Sequence, residues 1–286
     1  MSRRFGLALS GGGARGFAHI GVLRALHQRL RPDFISATSM GAVIAALYAA
    51  RLDVDWVELV ARDFASRGLR IFWDWKLPKS GLSSGRHLEE FLRRHLGDAK
   101  FSDLKLPIAV TATDIHKGAP VVLREGDLVS ALCASFAVPG LLAPVARRVA
   151  GEELLLVDGG VSNPLPADLA RQAGCGVMLA VSANPSYAHP STDPRQLPAT
   201  ELTIRSFYIM QKFIATQHLQ PQDTLIELNL KDCPFLDFCR LDFLMEQGRL
   251  QTSEVIPTLE ARMRVEPAPP SAFWKRIRDL LRFRRG

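Results

Sequence analysis

The chain has 286 residues, 47% of them hydrophobic and 23% charged, enough for a sizeable core of ordinary soluble composition. No apolar run reaches membrane-spanning length without interruption, and the apolar segment Phe5 to Leu9 is too short for a signal peptide. Four scattered cysteines give neither paired metal spacing nor a disulfide scaffold, and five of the seven net positive charges fall in residues 271–286, so no nucleic-acid surface is expected of the globular part.

In chain order, the pattern predicts a strand over Phe5 to Ser10 and a helix over Gly16 to Leu30. A second strand, Asp33 to Thr38, runs into an apolar helix from Met40, and Asp53 to Ser66 is again helical. Gly68 to Gly85, with Phe72, Trp73 and Trp75 among turn residues, reads as a surface loop or flap. Arg86 to Leu96 is an amphipathic helix stopped by Gly97. Strands follow at Pro107 to Thr113, Pro120 to Arg124, Leu154 to Val157, Gly176 to Ser182 and Thr224 to Asn229. Helices are expected at Asp127 to Ala137, Pro164 to Gln172, Glu201 to His218 and Leu241 to Arg262, and Pro185 to Pro198 reads as a Pro/Ser-rich loop. Alternating strands and helices imply an α/β fold with a mostly parallel sheet covered on both faces.

Three sites stand at strand ends. Ser10-Gly11-Gly12-Gly13-Ala14-Arg15-Gly16 follows the first strand and opens a helix. Its glycines allow positive φ and close backbone approach, and their N–H groups form an anion site. The match to G-x-G-x-x-G is weak, because the second strand ends in Thr38-Ser39 rather than an acid. Ala37-Thr38-Ser39-Met40-Gly41 approximates the G-x-S-x-G nucleophile elbow, with Ala37 one methyl away from the pattern. Taken alone, it also fits a helix N-cap serine. Leu154 to Val157 leads into Asp158-Gly159-Gly160, which alone reads as a turn.

Together they say more. In a parallel sheet with right-handed crossovers, all strands end on one edge, where ligands bind. That edge then carries N–H donors, a hydroxyl and a carboxylate, the parts of acyl transfer. A Ser-His-Asp triad needs a histidine near Ser39. His189 lies in the Pro/Ser-rich loop, His218 near a helix end, and His19 reads as a partly buried histidine with a satisfied partner. A Ser39–Asp158 dyad is therefore the favoured arrangement. Arg15 either reinforces the anion site or holds the loop by a salt bridge.

These motifs resemble those of the patatin-like phospholipase family, particularly its small bacterial members. Gly11 to Gly16 resembles the family's G-G-G-x-R-G oxyanion motif, Thr38-Ser39-Met40-Gly41-Ala42 its elbow, and Asp158-Gly159-Gly160 its D-G-G/A motif. Ala134 to Gly140, Asn163 to Pro166 and Arg205 to Gln211 resemble further family segments, and the likeness runs from about Phe5 to Leu259. The resemblance implies a three-layer α/β/α fold and serine acyl hydrolysis of lipid esters. Ser39 and Asp158 are then catalytic and Gly11, Gly12, Gly13 and Arg15 bind the oxyanion, with no metal or cofactor. The patatin-like domain is expected over 1–266 and a Pro-rich linker with a basic tail over 267–286. Acyl transfer by the same site, and a non-catalytic lipid- or nucleotide-binding role, are the alternatives.

In the tail, Phe273, Trp274, Ile277, Leu280 and Leu281 share one helical face, with Lys275, Arg276, Arg278 and Arg282 largely off it. That profile suits peripheral contact with an anionic membrane, a helix docked on the protein, or a disordered basic end. The expected location is cytoplasmic, at the inner membrane surface if the tail binds lipid.

Overall fold

A computed structural model describes residues 3–72, 81–184, 195, 199–230 and 233–264. The expectations for Trp73, Trp75, His189, most of the Pro/Ser-rich stretch and the tail after Pro267 lie outside those residues.

The first half alternates strand and helix: β1 (Phe5–Leu9), α1 (Ala18–His27), β2 (Phe34–Thr38), α2 (Met40–Arg51) and α3 (Val54–Arg67). A short strand, β3 (Gly81–Ser83), precedes α4 (Arg86–Leu96) and β4 (Ile108–Asp114). Then come β5 (Ala119–Leu123), α5 (Leu128–Ser135), β6 (Gly140–Leu142), β7 (Val145–Val149) and β8 (Glu152–Asp158). The remainder is α6 (Ala167–Gln172), β9 (Val177–Ser182), α7 (Ala199–Gln217), β10 (Thr224–Glu227) and α8 (Leu241–Arg264). Polar caps set two of the helix starts. Asp53 accepts from the N–H of Asp55 and Trp56, and Asp127 from that of Ser130.

The main sheet runs β10-β9-β1-β2-β4-β8-β7, with β5 also on β4. Strands β10, β9, β1, β2 and β4 are parallel. Helices cover both faces. Phe5, Leu7 and Leu9 of β1 and Val177, Leu179 and Val181 of β9 belong to the larger core with α1, α2 and α8. Their neighbours Ala8, Met178 and Ala180 pack on α6 and α7 instead. A period of two thus splits each strand between two cores, which makes three α/β/α layers. Because α2 is buried from Met40 through Ala49, it carries no polar face. No helix among the described residues is long and apolar enough to cross a membrane.

Two expectations need correction. The ends of the 68–85 stretch are not surface loop. Gly68–Phe72 forms a tight helical turn, Phe72 stacks on Phe136 at 5.8 Å, and β3 pairs with β6. Burying the Phe72 ring outweighs the local turn signals. The strand ending at Asp158 is also not parallel to its neighbours: β8 runs antiparallel to β4 and to β7, and β7 is a strand the pattern does not predict.

Candidate active site

The register around β4 brings the site together. On one edge β4 pairs with β5 from Val110 to Asp114. On the other edge it pairs with β2 as far as Thr38↔Thr111, then with β8 from Asp158↔Ala112. Strands β2 and β8 therefore end head to head along one neighbour. Ser39, the residue after β2, meets Asp158, the last residue of β8. The expectation that Asp158 arrives on a parallel strand is wrong, yet the two side chains meet because β8 enters from beyond the end of β2.

A buried hydroxyl cluster ties the two ends together. The Thr38 and Thr111 hydroxyls are hydrogen-bonded to each other at 2.6 Å, and the nearer of the two to the Asn163 carbonyl oxygen, Thr38, donates to it at 2.8 Å, with Thr111 at 3.3 Å. Thr113 Oγ1 donates to the carbonyl of Asp158 at 3.0 Å, and Asp158 N–H to that of Ala137 at 2.9 Å.

Ser39 has φ 55 and ψ −126, a conformation that favours glycine and that side chains adopt in sharp strand-to-helix turns. Its N–H donates to Ser135 Oγ at 2.8 Å. Packing of α2 against β1 needs Gly41, where a methyl would overlap the carbonyl oxygen of Ser10. The Ala37 methyl is accommodated, fully buried within β2.

The Ser39 hydroxyl donates to Asp158 Oδ2 at 2.6 Å. The other carboxylate oxygen accepts from Gly160 N–H at 2.6 Å. Both side chains are buried, Ser39 at 4% and Asp158 at 3% exposure. Burial pushes the Asp158 pKa up to about 6, opposed by the bonds from Ser39 and Gly160. A buried carboxylate in contact with a hydroxyl, with its pKa near neutrality, suits a general base.

The glycine loop borders this pair. A methyl on Gly11 would lie 3.2 Å from Ser39 Cβ. Gly12 has φ 142 and Gly13 φ 59, and the chain then enters the tight turn Gly13–Phe17. Among the described residues no acceptor takes the N–H of Gly11 or Gly12. A small recess open to solvent is lined by Gly11, Gly12, Ser39, Asp158 and Gln211, with Val138, Phe207, Tyr208 and Phe235 as apolar wall.

Gly13 and Arg15 do not line that recess. Arg15 is buried, its Nε donates to the Gly12 carbonyl at 3.3 Å, and its guanidinium lies 4.4 Å over the Tyr208 ring. No carboxylate among the described residues pairs with it. Its contacts are thus a carbonyl of the loop and an aromatic face rather than a salt bridge.

No described histidine lines the recess. His19 is fully rather than partly buried, burial pushes its pKa down to about 4, and Nε2 donates to the Ser10 carbonyl at 2.9 Å. His218 sits 3.4 Å from Asp168. Among the described residues no cluster of three His, Cys, Asp or Glu is placed to hold a metal ion. Sequence reasoning passes over Ser135, Thr111 and Gln211 as parts of the site. Ser135 and Gln211 do lie in two of the secondary family-like segments, Ala134 to Gly140 and Arg205 to Gln211.

Fold and geometry thus define a class: a three-layer α/β/α protein with a buried Ser–Asp contact beside a glycine loop at the end of a largely parallel sheet. The chain belongs to the patatin-like phospholipase family, whose model matches residues 7–171. An NTE family protein of Mycobacterium bovis is 36% identical over 196 residues, 67% of this chain and 52% of that protein. Mouse patatin-like phospholipase domain-containing protein 6 is 36% identical over 179 residues, 61% of this chain and 13% of that protein. The chain spans about half the length of the mycobacterial relative. Among solved structures, human GIVD cytosolic phospholipase A2 is similar in fold, with a TM-score of 0.56 at 10% identity over 92% of this chain and 63% of that one.

Proposed function

We propose that the chain is a serine acyl hydrolase acting on lipid acyl esters, of the esterase, lysophospholipase or phospholipase A type. The observation that carries this reading is the 2.6 Å bond from Ser39 Oγ to Asp158 Oδ2 beside the N–H groups of Gly11 and Gly12, which no acceptor takes among the described residues. Ser39 Oγ attacks the ester carbonyl carbon while its proton passes to Asp158. The carbonyl oxygen becomes an oxyanion and accepts from Gly11 and Gly12 N–H. Collapse breaks the bond to the alcohol oxygen, which leaves with the proton held by Asp158. Water then attacks the acyl-enzyme, giving a proton to Asp158, and Ser39 Oγ regains it as the fatty acid departs. The apolar wall of Val138, Phe207, Tyr208 and Phe235 suits an acyl chain. The family membership and the lipid-hydrolase names of its relatives support a lipid substrate.

An alkyl fluorophosphonate tests the reading. The protein is expected to label and to hydrolyse a short-chain ester, and Ser39→Ala to lose both. Folded protein that neither labels nor hydrolyses an ester favours a binding role. The basic tail, 271–286, supplies peripheral contact with anionic lipid under this proposal. Its deletion is expected to weaken binding to anionic vesicles and to spare a soluble ester; unchanged vesicle binding rejects that part.

A further inference from the structure

Gln211 is a buried polar side chain in the recess that the Ser39–Asp158 chemistry leaves unused. It comes from α7, is 5% exposed, and shares the recess wall with Ser39 and Asp158. Its Oε1 accepts from Nδ2 of Asn184 at 3.2 Å, which anchors one end of the amide just past β9. The other end lies over Gly160. A methyl there would overlap Gln211 Nε2 and come within 2.9 Å of Asp158 Oδ1. The amide nitrogen thus packs over Gly160 on the carboxylate's side of the recess. Electrostatics favour that orientation, since an amide oxygen in the same place would oppose the carboxylate. Among the described residues no acceptor takes the Nε2 hydrogens. The nitrogen keeps enough exposure at the recess surface to meet water, so a substrate oxygen that displaces that water gains a donor already anchored through Asn184.

The reaction says which half of the substrate lies there. The carbonyl oxygen turns to the N–H groups of Gly11 and Gly12. The leaving oxygen must reach the proton on Asp158, so the alcohol half lies on the Asp158 side of Ser39. Gln211 Nε2 borders that side. We propose that Gln211 reads the alcohol half of the ester, donating from Nε2 to a second oxygen on an oxygenated, glycerol-type alcohol. The acceptor is either a glycerol hydroxyl or a phosphate oxygen. The inference rests on the acyl hydrolase reading above and deepens it.

Monobutyrin and propyl butyrate test it. They share the acyl chain and the three-carbon alcohol skeleton and differ only in hydroxyls. In Gln211→Met, which keeps the bulk and loses the donor, kcat/KM for monobutyrin is expected to fall about tenfold, the scale of one lost hydrogen bond. The loss should sit in KM, because ground and transition states hold the alcohol alike. Propyl butyrate should change by less than about twofold. Butyryl lysophosphatidylcholine separates the two acceptors: a larger loss than for monobutyrin assigns the phosphate, an equal loss the hydroxyl. Asn184→Ala frees the amide from its anchor and is expected to show the same selective loss at smaller size, which serves where Gln211→Met does not fold. Equal loss on propyl butyrate and monobutyrin, or loss on neither, overturns the inference. Fluorophosphonate labelling keeps the two readings apart. A variant that labels normally with unchanged selectivity sinks the role of Gln211 alone, whereas a wild-type protein that never labels sinks the hydrolase.

Discussion

At the scale of single residues, Asp158 carries the conflict on which the proposed chemistry depends. Burial pushes its pKa up to about 6, while the Ser39 hydroxyl and the Gly160 N–H hold the charged form in place. A base must be ionised, so kcat/KM on a soluble ester is expected to rise with pH, bend near 6 and stay level above. A midpoint near the ordinary carboxylate value of about 4 would reject the effect of burial. Stability runs the other way. The folded pKa lies above the unfolded one, so the folded state binds more protons between about 4 and 6, and stability falls as pH rises through that window. Above it the penalty is about 3 kcal/mol. Asp158→Asn removes the charge and keeps the shape, with Oδ1 still able to accept from Gly160. We expect it to abolish turnover, to raise Tm at pH 7 and to leave Tm nearly unchanged at pH 4. Melting curves at the two pH values check this; a lower Tm at pH 7 tells against a penalised carboxylate.

Among the elements, those defined by local pattern were legible and those defined by partnership were not. β2 and α2 announce themselves, because an apolar strand ending in Thr-Ser and a helix of small residues leave Ser39 only one position, at the turn. The run Leu154 to Val157 announces a strand equally well but not its direction, which depends on the path of β5, α5 and β7 before it. Two βα units imply continued parallel order, and β8 breaks it. The site survives because it needs β2 and β8 only to end at neighbouring residues of β4, Thr111 and Ala112. β7 is hidden in the sequence for a different reason. One of its half-buried positions is Arg147, whose guanidinium donates to the carbonyls of Glu125 and Asp127, so the usual alternation of apolar and polar residues is masked. Ser135 and Gln211 sit on helices whose site-facing side is chosen by packing. Nothing in their immediate neighbours says that one holds the Ser39 N–H and the other lines the recess.

For the molecule as a whole, β9 and α8, which lie beyond the matched residues 7–171, contribute to the larger core with β1 and α1. β9 pairs with β1 in the middle of the sheet, and α8 lies across α1. That crossing is made by backbone: a methyl on Gly21 would overlap the Met245 carbonyl oxygen, and one on Gly248 the Ala18 carbonyl oxygen. Two helices can approach so closely only where neither carries a side chain. Directly before α1 lies the turn Gly13–Phe17, and His19 on its first turn holds the Ser10 carbonyl at 2.9 Å. The distant helix α8 therefore backs the glycine loop through α1. Gly248→Ala forces the helices apart and is expected to cost about 3 kcal/mol, lowering Tm by roughly 6 °C or more. Well below that Tm, the rate of fluorophosphonate labelling should also fall, because a displaced α1 carries Ser10 and the loop away from Ser39. Gly176→Ala is the control: its methyl would meet only the Arg3 side chain, at 3.8 Å, and φ there is not positive. Reducing unfolded-chain entropy at such a site leaves Tm unchanged or slightly higher. Equal behaviour of the two variants would mean that α8 does not support the loop. A Gly248→Ala protein that melts early yet labels at the wild-type rate would confine the crossing to stability.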